Sequence, residues 1–106
     1  MPTKWEIWYA RFKYEDVNEY KERPVLVLEN RFVFPILVAK ITSHEPRENY
    51  NGEYLIKNWA KAGLSKESTI RLSQILKLEK NDFVKKVGKL QAYDIYNVMQ
   101  EIKNMK

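Results

Sequence analysis

Hydrophobic residues follow a two-residue alternation or short apolar runs through the first three quarters of the chain. Only near the end do they take up three- and four-residue steps. The first pattern predicts strands and the second a helix. Trp5 to Phe12 reads as a strand with Trp8, Ala10 and Phe12 on one face and Ile7, Tyr9 and Arg11 on the other. Both faces are largely apolar, so partial cover on both is expected. Lys13 to Glu22 is polar, with Asp16, Asn18 and Glu19 as turn formers, and reads as an exposed loop. Arg23-Pro24-Val25-Leu26-Val27-Leu28 follows. Four consecutive aliphatic residues argue a central strand covered on both faces, with the proline at its start, where a missing N–H costs least.

Glu29-Asn30-Arg31 is a turn candidate, and Phe32 to Ile41 returns as a strand whose first part Pro35 turns into a bend or edge. Short connections between these runs predict an antiparallel meander. Glu45 to Gly52 is a polar loop and Glu53 to Ile56 a short strand. Lys57 to Ala62 suggests one or two helical turns, with Gly63 as C-cap. Ser68 to Leu78 fits both periods. Thr69 and Ile70 are β-branched and polar residues alternate, so we read a strand with Ile70, Leu72, Leu76 and Leu78 on one face and a break near Gln74. Lys80 to Lys86 suggests a short helical turn ended by Gly88. Ile95, Val98, Met99, Ile102 and Met105 mark a terminal helix with that stripe in the core. The sum is a single domain over residues 1–106. It is mainly β (α+β): a small antiparallel barrel of five strands with a C-terminal helix and one or two short helices. Closure would remove the exposed sheet edges.

Composition narrows the picture a little. The formal net charge is +5 and the pI about 9.4. That charge serves solubility, or attracts a polyanion. No cysteine is present, so disulfide and thiolate chemistry are excluded, which suits a reducing compartment. No secretory apolar region opens the chain and no run reaches bilayer length, so a cytoplasmic protein without membrane contact is expected.

Chemistry is narrowed further by what is missing. One histidine and no cysteine argue against zinc. Ser43 and His44 are adjacent, and neighbours on a strand face opposite ways, so they make a poor nucleophile–base pair. Three glycines and no phosphate-cradling loop disfavour nucleotide binding of that type, and scattered acids give no clear magnesium pair. What remains is a metal-free set of cations and hydroxyls: Arg23, Thr42, Ser43, His44, Arg47 and Arg71. Arginine forks match phosphate oxygens, and RNA supplies its own nucleophile, the 2′-hydroxyl. Such a protein needs no cofactor; it orients groups, assists proton transfer and stabilises charge. Each residue also has a plainer reading. Arg23 can pair with Glu19 or Glu22 on the surface, Thr42 can be a β-branched strand residue, His44 a solvated loop residue, and Arg71 a snorkelling strand residue.

Several segments, in order, resemble the MazF/PemK (Kid) family of toxin endoribonucleases. Glu6 to Phe12 resembles that family's first strand. Arg23-Pro24-Val25-Leu26-Val27-Leu28 resembles its R-P-V-L-V-L strand, and Ile41-Thr42-Ser43 the hydroxyl pair closing its third long strand. Thr69 to Gln74 resembles a later strand, and Lys80 to Leu90 the segment before the final helix. The resemblance implies an SH3-like barrel, a homodimer and a cognate antitoxin, with DNA contacted only through a toxin–antitoxin complex. It implies cofactor-free, ribosome-independent cleavage of single-stranded RNA to a 2′,3′-cyclic phosphate and a 5′-hydroxyl. Carried over by position, Arg23, Thr42 and Arg71 are the catalytic candidates, with Ser43, His44, Arg47, Ser73 and Gln74 as substrate-binding candidates and no metal. Departures exist: Trp5 stands where the family usually has glycine, and Ser73 where many members have aspartate. The segment His44 to Arg47 is not general in the family. Two other classes stay open: a non-catalytic module binding nucleic acid or protein, and a DNA gyrase inhibitor of the same fold.

Overall fold

A computed structural model describes residues 1–13, 19–29 and 33–105. Among the described residues six strands, one 3₁₀ turn and one helix follow in order. They are β1 (Glu6–Lys13), β2 (Tyr20–Val27), β3 (Ile36–Thr42), β4 (Glu53–Leu55), β5 (Thr69–Leu78), a 3₁₀ turn (Lys80–Asp82), β6 (Phe83–Lys89) and α1 (Ala92–Asn104). All pairings are antiparallel, in the order β4-β5-β3-β2-β1-β6. The mainly β architecture with a terminal helix is the one the sequence predicts. The sheet is barrel-like but not closed: among the described residues β4 and β6 remain its edges.

The central strands carry a core on each face. Leu26, Ala39 and Ile41 join Ile7, Ile70, Leu72 and Val98 in one cluster. Val25, Val27, Ile36 and Val38 join Ala10, Phe12 and Leu78 in the other. Unbroken aliphatic runs in β2 and β3 are the sequence form of this double burial. Pro24 lies within β2, paired with Tyr9 of β1 just before the β3 pairing begins at Val25. Its missing N–H therefore falls where no ladder to β3 is made.

Several expectations need correction. Tyr20 to Glu22 is strand, not loop: the β1–β2 ladder runs on through Lys13↔Tyr20, because backbone pairing satisfies this ribbon whatever its polar side chains. The expected turn at Asn30-Arg31, the strand residue Phe32 and the turn formers Asp16 and Asn18 lie outside the described residues. Lys57 to Ala62 needs no correction: it forms a single turn, the shorter of the two expected lengths, with the Ala62 N–H donating to the Asn58 carbonyl. Gly63 (φ 100°) ends it, with Leu64 N–H donating to the Trp59 carbonyl and Gly63 N–H to that of Ala60. Lys80 to Lys86 is not one helical turn. The turn stops at Asp82 and the chain continues as β6, the sixth strand. Gly88 allows it: a Cβ there would lie 2.0 Å from the Ala62 carbonyl oxygen. On α1 only Val98 of the expected stripe is fully buried. Met99 is 51% and Ile102 39% exposed, because the helix covers the sheet with a narrower face than its apolar stripe.

β5 holds the largest departure. Arg71 pairs with Lys40 and Ile75 with Ala39. One step on β3 thus spans Leu72, Ser73 and Gln74 on β5, the break expected near Gln74. An odd number of extra residues exchanges the faces. Ile70 and Leu72 enter the first core, whereas Leu76 and Leu78 enter the second. The single apolar face expected for these four leucines and isoleucines is therefore two faces.

Asp94 fastens α1 to the sheet. Its fully buried carboxylate accepts hydrogen bonds from the Tyr54 hydroxyl (2.5 Å) and the N–H groups of Lys57 and Asn58 (both 2.9 Å). Burial and this bond push the Tyr54 phenol well above its ordinary value. Asp94→Ala strands three donors and is expected to cost on the order of 3 kcal/mol, read from urea unfolding. Glu6 ties the segment before β1 to the edge strand β6. Burial raises its pKa, but bonds from the Trp8 indole, the Thr3 N–H and the Lys86 ammonium outweigh that and hold it at about 2. Its contribution is full above the ordinary 4.5 and is lost as the pH falls towards 2. The melting-temperature gap between the protein and Glu6→Gln should therefore narrow across that window.

Candidate functional site

The face of the sheet that carries the second core changes character along its length. Val27 and Val38 are paired apolar residues. One step on, Val25 pairs with Lys40, and Lys40 with Arg71. Carrying the β2–β3 register two residues further sets Arg23 opposite Thr42, and Thr42 pairs with Thr69. Cross-strand partners share a face, so Arg23, Lys40, Thr42 and Arg71 project from one side at the end of β3.

A cavity of about 590 Å³ opens there. Arg23, Thr42, Ser43, His44, Arg71 and Gln74 line it, together with Tyr9, Lys40 and Lys66. Among the described residues its Lys and Arg side chains are Arg23, Lys40, Lys66 and Arg71, against Glu22 as the one acid, so the described wall is cationic. Among the described residues no three His, Cys, Asp or Glu side chains are grouped to hold a metal ion.

Each predicted residue has a definite place. Arg23 is exposed and its Nη1 donates to the Glu22 carbonyl at 2.9 Å, while Glu19 is taken by Lys21. Thr42 Oγ1 accepts the His44 N–H at 3.3 Å, a small turn that bends the chain as it leaves β3. Ser43 and His44 are exposed at the mouth. Arg71 is mostly buried, its side chain 20% exposed. Ser73 is exposed on the bulge and does not line the cavity, whereas Gln74 does.

Arg47 also stands outside the cavity lining. Its guanidinium forks onto Glu53, with Nε 2.8 Å from Oε2 and Nη2 on the same oxygen, and its backbone N–H donates to Oε1 at 2.8 Å. The plane lies over Tyr50, 3.6 Å from the ring centre. The Glu53 side chain is 1% exposed, and the Nε of Arg71 is 3.6 Å from its Oε2. That Nε is buried without a hydrogen bond. The Arg47 bonds pull the Glu53 pKa down; burial opposes them, and the charges of Arg47 and Arg71 add to the lowering.

Sequence reasoning passed over Lys40, Lys66, Tyr9 and Glu53. Lys40 had a signal, a lone cation inside the apolar run from Ile36 to Ile41. Lys66 and Tyr9 had none, since long-range closure alone brings them to the cavity. Glu53 reads as an ordinary strand start until its pairing with Arg71 is known.

A small open antiparallel sheet with a terminal helix and a cationic cavity at a strand end defines a class of β proteins suited to a polyanionic ligand. The family model of PemK-like, MazF-like toxins of type II toxin–antitoxin systems matches residues 3–105, and the chain belongs to that family. Among solved structures, the Mycobacterium tuberculosis toxin MazF-mt6 has a similar fold (TM-score 0.74, 23% identity, 93% of each chain covered). Curated protein sequences give no match.

Arg47→Ala removes the main opponent of the burial that raises the Glu53 pKa. Glu53 contributes stability above the ordinary carboxylate range, and this is lost as the pH falls through its folded value. Melting temperature followed against pH should begin its acid-side fall at a higher pH in Arg47→Ala than in the unsubstituted protein.

Proposed function

We propose that the chain is a toxin endoribonuclease that cleaves single-stranded RNA without a metal ion or the ribosome. The observation that carries this is the meeting of Arg23, Thr42, His44 and Arg71 on one cationic cavity wall in a protein of this family. The phosphodiester binds against Arg23 and Arg71, whose planar forks match its oxygens. The Thr42 hydroxyl donates to a non-bridging oxygen and fixes the phosphate. The ribose 2′-oxygen attacks phosphorus and loses its proton to a base on the wall; the bond to the 5′-oxygen breaks, and that oxygen takes up a proton from solvent water. The products are a 2′,3′-cyclic phosphate and a 5′-hydroxyl. His44 is the side chain of this wall that both accepts and donates protons. Arg23 and Arg71 stabilise the added negative charge of the transition state. Ser43 and Gln74 contact the flanking nucleotides.

An antitoxin partner follows from the family, and blockage of this cavity is the simplest way for it to act. A homodimer and a cytoplasmic location belong to the same reading. No helix among the described residues is long and apolar enough to cross a membrane.

Purified protein incubated with a single-stranded RNA and excess chelator is expected to yield cyclic-phosphate fragments. Arg23→Ala and Thr42→Ala, shown folded by circular dichroism, should each lower the rate about a hundredfold. Binding without cleavage, or cleavage indifferent to both substitutions, removes the nuclease reading; the first outcome favours a binding module.

A further inference from the structure

We propose that Glu53 is a positioning residue for this reaction: its buried carboxylate, anchored by Arg47, holds the Arg71 guanidinium in the cavity wall without neutralising it. The inference rests on the nuclease reading above. Glu53 is not among the residues that line the cavity. It stands directly across the β4–β5 ladder from Arg71, on the same face.

Three features distinguish this arrangement from a simple ion pair. Both carboxylate oxygens are already engaged by Arg47, through its backbone N–H, Nε and Nη2. The Arg71 Nε lies at 3.6 Å, within ion-pair range and beyond a hydrogen bond. The same Nε is buried with no other partner. Arg47 thus balances the charge of Glu53, and Arg71 keeps its own. A carboxylate bonded to Arg71 alone would fix the guanidinium but cancel the field it presents to a phosphate. With Arg47 in place, the three groups carry one net positive charge, and Arg71 is the member that lines the cavity. The arrangement also couples the loop of Arg47 and Tyr50 to the site, although neither residue lines it.

The test is a double-substitution cycle read by kcat and KM on a single-stranded RNA, with melting temperatures recorded. Glu53→Gln keeps the size and loses the charge. It is expected to lower kcat about tenfold to a hundredfold, as a displaced catalytic group does, with KM changed by less than about threefold. In an Arg71→Ala background the same substitution should change kcat by less than about twofold, since the group it positions is gone. A merely structural role lowers stability and acts equally in both backgrounds. Equal losses in the two backgrounds, a loss confined to KM, or an unchanged kcat would each overturn the proposal. Should Glu53→Gln fail to fold, Glu53→Asp keeps the charge and withdraws it by one methylene; the same difference between backgrounds is expected. Absence of cleavage by the unsubstituted protein removes the nuclease reading and this inference together. Cleavage that ignores both Glu53 variants removes this inference alone.

Discussion

Three residues that do not pair with β3, Leu72 to Gln74, decide what the two faces of this sheet carry. Were they paired one for one, β5 would run beside β3 with one fixed parity. Arg71 would then share a face with Ile75 and Lys77, and Leu76 with Ile70 and Leu72. The odd insertion reverses that parity midway. Leu76 and Leu78 can then close the second core, while Arg71 appears on the same face as that core, at its polar end. The bulged backbone is held by the adjoining loop: Leu72 N–H donates to the Gly52 carbonyl at 2.6 Å. Gly52 sits at φ 79°, where only glycine is unstrained, and a Cβ there would lie 2.7 Å from the Met105 methyl group. Loop 45–52, the bulge and the end of α1 therefore depend on one another.

The cavity follows from this geometry. β2 and β3 are buried on both faces where they pair, so their backbones are rigid at the point where polar side chains begin. Thr42 ends β3, and Arg23 lies in the part of β2 that pairs with β1 alone. The chain then turns out of β3 through the Thr42–His44 bond. Cations from three strands and one loop thus meet at a mouth with a single acid among the described residues, which favours an anionic ligand whatever chemistry follows.

How much of this was legible differed by kind of residue. Central strands and the terminal helix were legible because burial on both faces leaves unbroken aliphatic runs, and burial on one leaves a helical stripe. The sixth strand was not. Phe83 to Lys89 contains three lysines and a glycine, with one edge unpaired, so neither alternation nor apolar content marks it. Its glycine reports a close approach to Ala62, which is invisible until the turn at Gly63 is placed. The exposure of Met99 and Ile102 was hidden for a similar reason: periodicity locates a stripe, but not how much of it the sheet covers. At the cavity, Arg23, Thr42 and Arg71 stood out as residue types. Their meeting depends on register, and Arg71 reaches its face through a bulge whose odd length the sequence does not announce.

Arg47 shows the limit from the other side. As a residue type it fits a phosphate site as well as Arg23 does. Its fork is instead spent on Glu53 and its plane on Tyr50, so its positive charge is answered by a neighbouring carboxylate. Glu53 can bond one guanidinium fully, and the backbone N–H it accepts comes from Arg47, within the loop that Glu53 closes. Local chain geometry therefore favours Arg47 as the bonded partner, and Arg71, rigid on β5, is left close but unbonded. The division of labour between two chemically equal arginines is set by which of them the backbone delivers to the carboxylate.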